Sequence, residues 1–189
     1  MREPTPILLE PAQLKAQLWA DPAQQVHAVL MGSRLAGLPA RLQGELNAGE
    51  IDDFDCVVPG ALAPAEQEQA PYLARLRRDA AFTDWLLFDA APAHGEWGVL
   101  SASTVRMTAL RTHFRELREA RLPDGTTVTL DWMDPAVMNL LLPLLDASAL
   151  AGFMGPVAVW VMPGDGRWMV ARAPLGRLDV RELRYARKG

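Results

Sequence analysis

The chain has 189 residues, half of them hydrophobic, with a mean hydropathy of +0.01, enough apolar material for one sizeable core and too much for a disordered chain. A net charge of −4 and a pI near 5.4 argue against a dedicated nucleic-acid binder, which carries a basic footprint. A single cysteine, Cys56, excludes an internal disulfide framework and any multi-thiolate metal site within one chain.

In chain order, Pro11–Ala20 reads as a first helix, with Leu14, Leu18 and Trp19 on one side and Asp21-Pro22 as its stop. Gln25–Met31 reads as a buried strand closed by Gly32-Ser33, and Gly37–Leu46 as a short helix facing inward through Leu38, Leu42 and Leu46. A short strand is expected at Phe54–Val58, followed by a loop from Pro59-Gly60 to Gln69. Helical pieces are expected at Tyr72–Leu76 and at Arg78–Ala90, the latter carrying Phe82, Trp85, Leu86 and Phe88. Glu96–Ala102 reads as a strand. The helix after it, Thr104–Ala120, repeats Met107, Leu110, Phe114 and Leu117 at three- and four-residue steps, with Ser103 or Thr104 as its cap.

Pro123-Asp124-Gly125 marks a turn into a strand at Thr127–Met133. Asp134-Pro135 then opens a helix, with Asp as N-cap and Pro at the first position. Its density of apolar residues from Val137 to Leu145 predicts a central, buried element. Val157–Met162 and Arg167–Ala173 read as a hairpin around Pro163-Gly164-Asp165-Gly166, and Pro174–Gly189 as an appendage. No apolar run reaches the length of a membrane span, and the start of the sequence has no charged segment followed by an apolar one. A soluble, cytoplasmic protein with no membrane partner is therefore expected.

The catalytic inventory is thin. Gly-x-Ser-x-Gly, the phosphate-binding glycine loop and Gly-x-Gly-x-x-Gly are all missing from the sequence. His27, His94 and His113 have no metal-ligand spacing, and His27 in an apolar strand reads as a structural histidine. Cys56, flanked by strand-like residues and acids, reads as a small buried side chain rather than a nucleophile. Asp52-Asp53-Phe54-Asp55 resembles the start of a divalent-metal loop but lacks its glycine and closing glutamate. The expectation is no enzyme activity, no metal and no cofactor. Trp85, Trp97, Trp132, Trp160 and Trp168 are expected to fill the core.

Charge is uneven: seven acids and no Lys or Arg lie between Leu42 and Ala74, and six basic residues from Arg172 onward face only Asp179 and Glu182. The two blocks either pair with each other or each face a partner. The C-terminal stretch mixes Leu178, Val180, Leu183 and Tyr185 with Arg181 and Arg184, apolar anchors amid charge, so these six are the expected partner-binding residues.

Several phrases together resemble a known family. They are His27-Ala28-Val29-Leu30-Met31-Gly32-Ser33-Arg34 with Leu38-Pro39-Ala40-Arg41-Leu42, then Pro59-Gly60 and Ala70-Pro71-Tyr72-Leu73-Ala74-Arg75-Leu76. Glu96-Trp97-Gly98-Val99-Leu100-Ser101-Ala102, Leu110-Arg111-Thr112-His113-Phe114, Leu122-Pro123-Asp124-Gly125, Met133-Asp134-Pro135-Ala136-Val137-Met138 and Gly155-Pro156-Val157 follow in the same order. This is similar to the domain-of-unknown-function 4123 family, the type VI secretion effector adaptors, over about His27 to Met162. The sequence departs from the pattern at Met31, where an acid is usual, and near Asp131 and at Ala136, where arginine is.

The resemblance implies a non-enzymatic chaperone that binds a toxic effector and helps mount it on the valine-glycine-repeat spike. The expected fold is α+β, a mixed or largely antiparallel sheet flanked by helices. It is expected as one domain over 1–175, with possible lobes at 1–92 and 93–175 and a basic tail at 176–189. Two other classes stay open: a hydrolase using Cys56 or Ser101 with a histidine, and a small-ligand sensor with a closed apolar pocket.

Overall fold

The computed structural model describes residues 8–185 apart from 91, 92, 95, 122, 123 and 165. In chain order the elements are β1 (Leu8–Leu9), α1 (Pro11–Leu18), β2 (Gln25–Met31), α2 (Leu38–Ala48), β3 (Ile51–Cys56), α3 (Pro64–Gln69), β4 (Pro71–Leu76) and α4 (Ala81–Asp84), which runs on as a π-helix over Trp85–Ala90. Then come β5 (Gly98–Ser103), α5 (Met107–Glu116), β6 (Glu119–Arg121), β7 (Thr127–Thr129), α6 (Pro135–Leu141) with a 3-10 turn at Leu142–Leu144, and α7 (Ala147–Met154). β8 (Val157–Gly164), β9 (Arg167–Arg172), a 3-10 turn at Pro174–Gly176 and β10 (Asp179–Tyr185) finish the chain.

Eight strands form one open sheet in the order β1-β10-β9-β8-β5-β2-β4-β3, antiparallel except for the short β1–β10 pair, and β6–β7 form a separate hairpin. Helices cover both faces, so the fold is α+β. β2 shows why. It is buried on both sides, the mark of a strand covered by two layers. Val26, Ala28 and Leu30 join a core with Leu14, Leu18, Leu38, Leu42 and Leu86, under α1, α2 and the π-helix. Val29 and Met31 point the other way, into a core with Leu110, Phe114, Met138, Leu150 and Phe153, under α5, α6 and α7. Trp132 and Trp160 pack on Phe114 there, with ring centroids 5.0 and 5.2 Å away.

Two glycines make close approaches possible. A Cβ on Gly98 would sit 1.8 Å from the Val29 carbonyl oxygen, so only glycine lets β5 start against β2. Gly155 ends α7 at φ 48°, and a Cβ there would sit 2.4 Å from the His113 ring, which contacts the Phe153 carbonyl through Nε2 at 3.1 Å.

Several elements differ from the sequence reading. Tyr72–Leu76 belongs to a strand, not a helix: Leu73 pairs with Val29 on one side and Asp55 on the other, and these ladders override the helix-like Leu73/Leu76 spacing. A short helix, Pro64–Gln69, lies in the expected loop, with the Glu66 carboxylate accepting from the Ala63 N–H at 2.8 Å. The helix expected over Thr104–Ala120 is confined to Met107–Glu116, because Glu119–Arg121 leaves it to pair with β7. Ser103 does not cap it; its hydroxyl donates to the Pro156 carbonyl at 2.7 Å. The strand expected at Thr127–Met133 stops at Thr129. The turn residues 122, 123 and 165 lie outside the described residues.

The two halves of the chain share one sheet, since Val99 of β5 pairs with Val29 of β2. Nor does the C-terminal segment stand apart: β10 pairs with β9 from Asp179↔Arg172 to Arg184↔Arg167. The largest correction concerns α6. Its composition predicts a central helix, yet Leu140 is 73% and Leu144 80% exposed. Only Pro135, Met138 and Leu142 of this segment reach the core fully.

Candidate functional site

The residues with chemical potential are dispersed or sealed. His27 of β2 and Ser101 of β5 are cross-strand neighbours and fully buried, but neither side chain has a hydrogen-bond partner. Burial, aided by the Arg75 guanidinium, lowers the His27 pKa from 6.5 to about 4. Cys56 ends β3 half-buried, and burial pushes its thiol up against the opposing pull of Arg115 and Arg118. His94 is exposed and His113 is held at α7. Among the described residues, neither Cys56 nor Ser101 is hydrogen-bonded to a histidine, and no group of three His, Cys, Asp or Glu side chains is placed to hold a metal.

Among the described residues, no ion pair joins the two charged blocks to each other. Asp52 lies 3.3 Å from Arg75 and 3.7 Å from Arg77, Asp55 pairs with Arg111, and Glu45 pairs with Arg41 at 3.4 Å. At the C-terminal end Arg181 pairs with Asp179 at 3.0 Å, and Glu182 is shared by Arg184 and Arg167. The ion pairs that form are local to each block, and Arg172 and Arg177 have none among the described residues. Such exposed pairs contribute about 0–1 kcal/mol each.

The six expected partner residues divide by strand alternation. Tyr185 is a core residue, 4% exposed, against Phe88 and Trp168, with its hydroxyl donating to the Gly164 carbonyl at 3.3 Å. Leu183 packs half-buried on the α1 side and Leu178 half-buried on the α6 side. Arg181 and Arg184 are exposed but paired. Val180, 38% exposed, is the one that combines apolar character with exposure.

Val180 belongs to a larger surface. With Met162 and Met169 it forms one side of a groove of about 340 Å³, whose opposite wall is Asn139, Leu142 and Pro143 and whose end holds Arg167 and Glu182. Asp134 starts α6 by accepting from the Ala136 N–H at 2.7 Å, and Asp146 starts α7 by accepting from Ala149 at 2.8 Å. Apart from Asp146, no residue from Pro135 to Gly155 is ionisable. The outer faces of these helices therefore present Leu140, Leu144, alanines and a glycine to solvent. Beside α7 packs the turn Pro174–Gly176, where Leu175 is fully exposed at φ 54°. Of the five large exposed hydrophobics among the described residues, Leu140 and Leu144 lie on the α6 segment, Leu175 on this turn and Val180 on β10; the fifth is Leu8. Large apolar side chains left in solvent in such number mark candidate interaction sites.

Leu140, Leu144 and Leu175 are not singled out by the sequence reading. Their signal is the uncharged run from Pro135 to Leu145, which hydropathy alone reads as core.

The family-like phrases meet elsewhere. Met31, Ser33, Gln69 and Pro71 line one cavity of about 230 Å³ with Arg118, Thr129, Leu130, Asp131 and Met133. Arg34 bridges the same region, 3.5 Å from Glu96 and 3.9 Å from Asp134. Asp131 there has its carboxyl pushed up by burial and by Asp134, against Arg118 and Arg34. Met31–Arg34, Pro71, Glu96 and Met133-Asp134 of those phrases thus come together where β2, β4 and α6 meet.

Searches of curated proteins and of solved structures find no match. The family model described as a domain of unknown function, DUF4123, matches residues 26–151, from β2 into α7, and the chain belongs to that family.

Proposed function

We propose that this protein is a non-enzymatic adaptor that binds a cognate type VI secretion effector and helps load it onto the valine-glycine-repeat spike. The observation that carries the reading is the surface formed by the charge-poor α6 segment, the Pro174–Gly176 turn and β10, where Leu140, Leu144, Leu175 and Val180 stand in solvent. A folded monomer gains nothing from that exposure, whereas a partner gains apolar area at roughly 25 cal/mol per Å² buried. The resemblance of the sequence phrases to effector adaptors supplies the class of partner.

The test is a Leu140→Asp/Leu144→Asp variant. Both side chains are largely exposed, so the thermal midpoint is expected to hold, while effector co-purification and effector secretion fall at least about tenfold, as truncation of interface anchors does. Normal effector secretion in cells lacking this protein refutes the reading. A small-ligand sensor is the second reading, favoured by an apolar cavity of about 220 Å³ on the α1 side of β8–β10, lined by Leu18, Val161, Trp168, Val170 and Leu183.

A further inference from the structure

We propose that the open edge of β10 is covered by the chain's own first residues: Glu3–Ile7 continue β1 as a parallel strand along Val180–Leu183.

β1 covers β10 only at Arg184 and Tyr185, through Leu8 and Leu9. Among the described residues, the stretch from Asp179 to Leu183 therefore has a strand on its β9 side alone. The Tyr185 N–H donates to the Gly166 carbonyl at 3.1 Å, one step beyond the Arg184↔Arg167 rung. Peptide groups alternate in direction along an antiparallel strand. Tyr185, Leu183, Arg181 and Asp179 thus direct theirs to β9, while Arg184, Glu182 and Val180 turn theirs outward. Left bare, the outward groups are a template for another strand.

The strand that meets them is set by the register. β1 runs parallel to β10, so the residues before Leu8 run back along it, with Ile7 opposite Leu183, Pro6 opposite Glu182, Thr5 opposite Arg181 and Pro4 opposite Val180. In a parallel pair, a residue that faces its neighbour bonds the residues on either side of the one opposite. The Ile7 and Thr5 N–H groups then donate to the Glu182 and Val180 carbonyls, and the Thr5 and Glu3 carbonyls accept from the Glu182 and Val180 N–H groups. Pro4 and Pro6 have no N–H to give, and both fall at positions facing away from β10, where none is needed. A register one residue away would turn both prolines inward and lose both donors.

The side chains agree with this register. Leu9 and Leu183 line the cavity of about 220 Å³ on the α1 side. Ile7 joins them there, since it has the same parity as Leu9 and stands beside Leu183. On the other face Pro4 stands beside Val180 and extends the apolar floor of the groove. The new outer edge carries Pro4 and Pro6 where an added strand would need donors, so the sheet ends there.

The test is amide hydrogen exchange of the full chain, followed residue by residue by NMR, because edge amides exchange freely unless they are paired. The Val180 and Glu182 amides are expected to be protected in the wild type. Thr5→Pro removes an inward donor and is expected to speed exchange at Val180 at least about tenfold. Pro6→Ala changes an outward position and is expected to leave both amides as slow as before. The Val29 amide of the central strand, slow throughout, reports that the fold is intact. Free exchange of Val180 and Glu182 in the wild type overturns the proposal, as does protection that survives Thr5→Pro. Equal loss in Thr5→Pro and Pro6→Ala refutes the register. Protection that grows with protein concentration also overturns it, because a second copy of the chain would then be the occupant of the edge.

Discussion

Replacing His27 with leucine isolates the acid sensitivity built into the central strand. In the folded protein the imidazole is fully buried, both ring nitrogens lack a partner, and its pKa is lowered to about 4; unfolded, it returns to 6.5. The unfolded chain therefore takes up a proton that the folded chain refuses, and stability falls as pH drops below 6.5, levelling off below about 4. Each tenfold difference in proton affinity between the two states corresponds to about 1.36 kcal/mol. The loss is therefore about 1.4 kcal/mol one pH unit below the unfolded pKa, and it approaches about 3 kcal/mol across the whole window. Carboxylates also titrate in this range, so the measurement is a difference. Urea unfolding of the wild type and His27→Leu is followed at neutral pH and at mildly acidic pH. The wild type should lose about 1.4 kcal/mol more than the variant at about pH 5.5. Parallel pH dependences for the two proteins would refute the account of His27 as a buried neutral group.

Truncation after Leu175 should abolish the cooperative thermal transition, because it removes the whole of β10 and the Tyr185 ring from between Phe88 and Trp168; an unchanged melt would show that β10 adds nothing to the fold. Gly155→Ala should cost about 1–3 kcal/mol in chemical denaturation, since the residue sits at φ 48° and its Cβ would meet the His113 ring. His113→Ala in the same chain should recover the part due to that clash, leaving the backbone part.

What could be read from the sequence was what short-range pattern decides. β2 matches its expected bounds because a run of small and branched apolar residues closed by Gly32-Ser33 has few alternatives, and α6 starts where Asp134-Pro135 says it should. β4 could not be read so simply. Pro71–Leu76 has a helix-like apolar spacing, and its identity is set by β2 and β3 on either side. The π-helix at Trp85–Ala90 has no sequence signal that distinguishes it from an α-helix. For the candidate site the obstacle was different in kind. Leu140 and Leu142 are the same residue type two positions apart, one 73% and the other 1% exposed. Only the position of the neighbouring sheet separates them. The charges of the C-terminal segment were visible, but their pairing depends on a strand alternation that cannot be seen without β9.

Because β10 lies between β9 and the short β1, the sheet edge combines the first and last described strands. During synthesis the strands from β2 to β5 can pair early, while β10 can join only after β9 has been made. Val180 and Glu182, which complete the groove opposite Asn139 and Pro143, arrive with it. A nascent chain thus has Leu140 and Leu144 but no cleft beside them. A ligand that needs both walls has no site until β10 has joined β9, so the cleft reports whether the sheet has closed on its outer side.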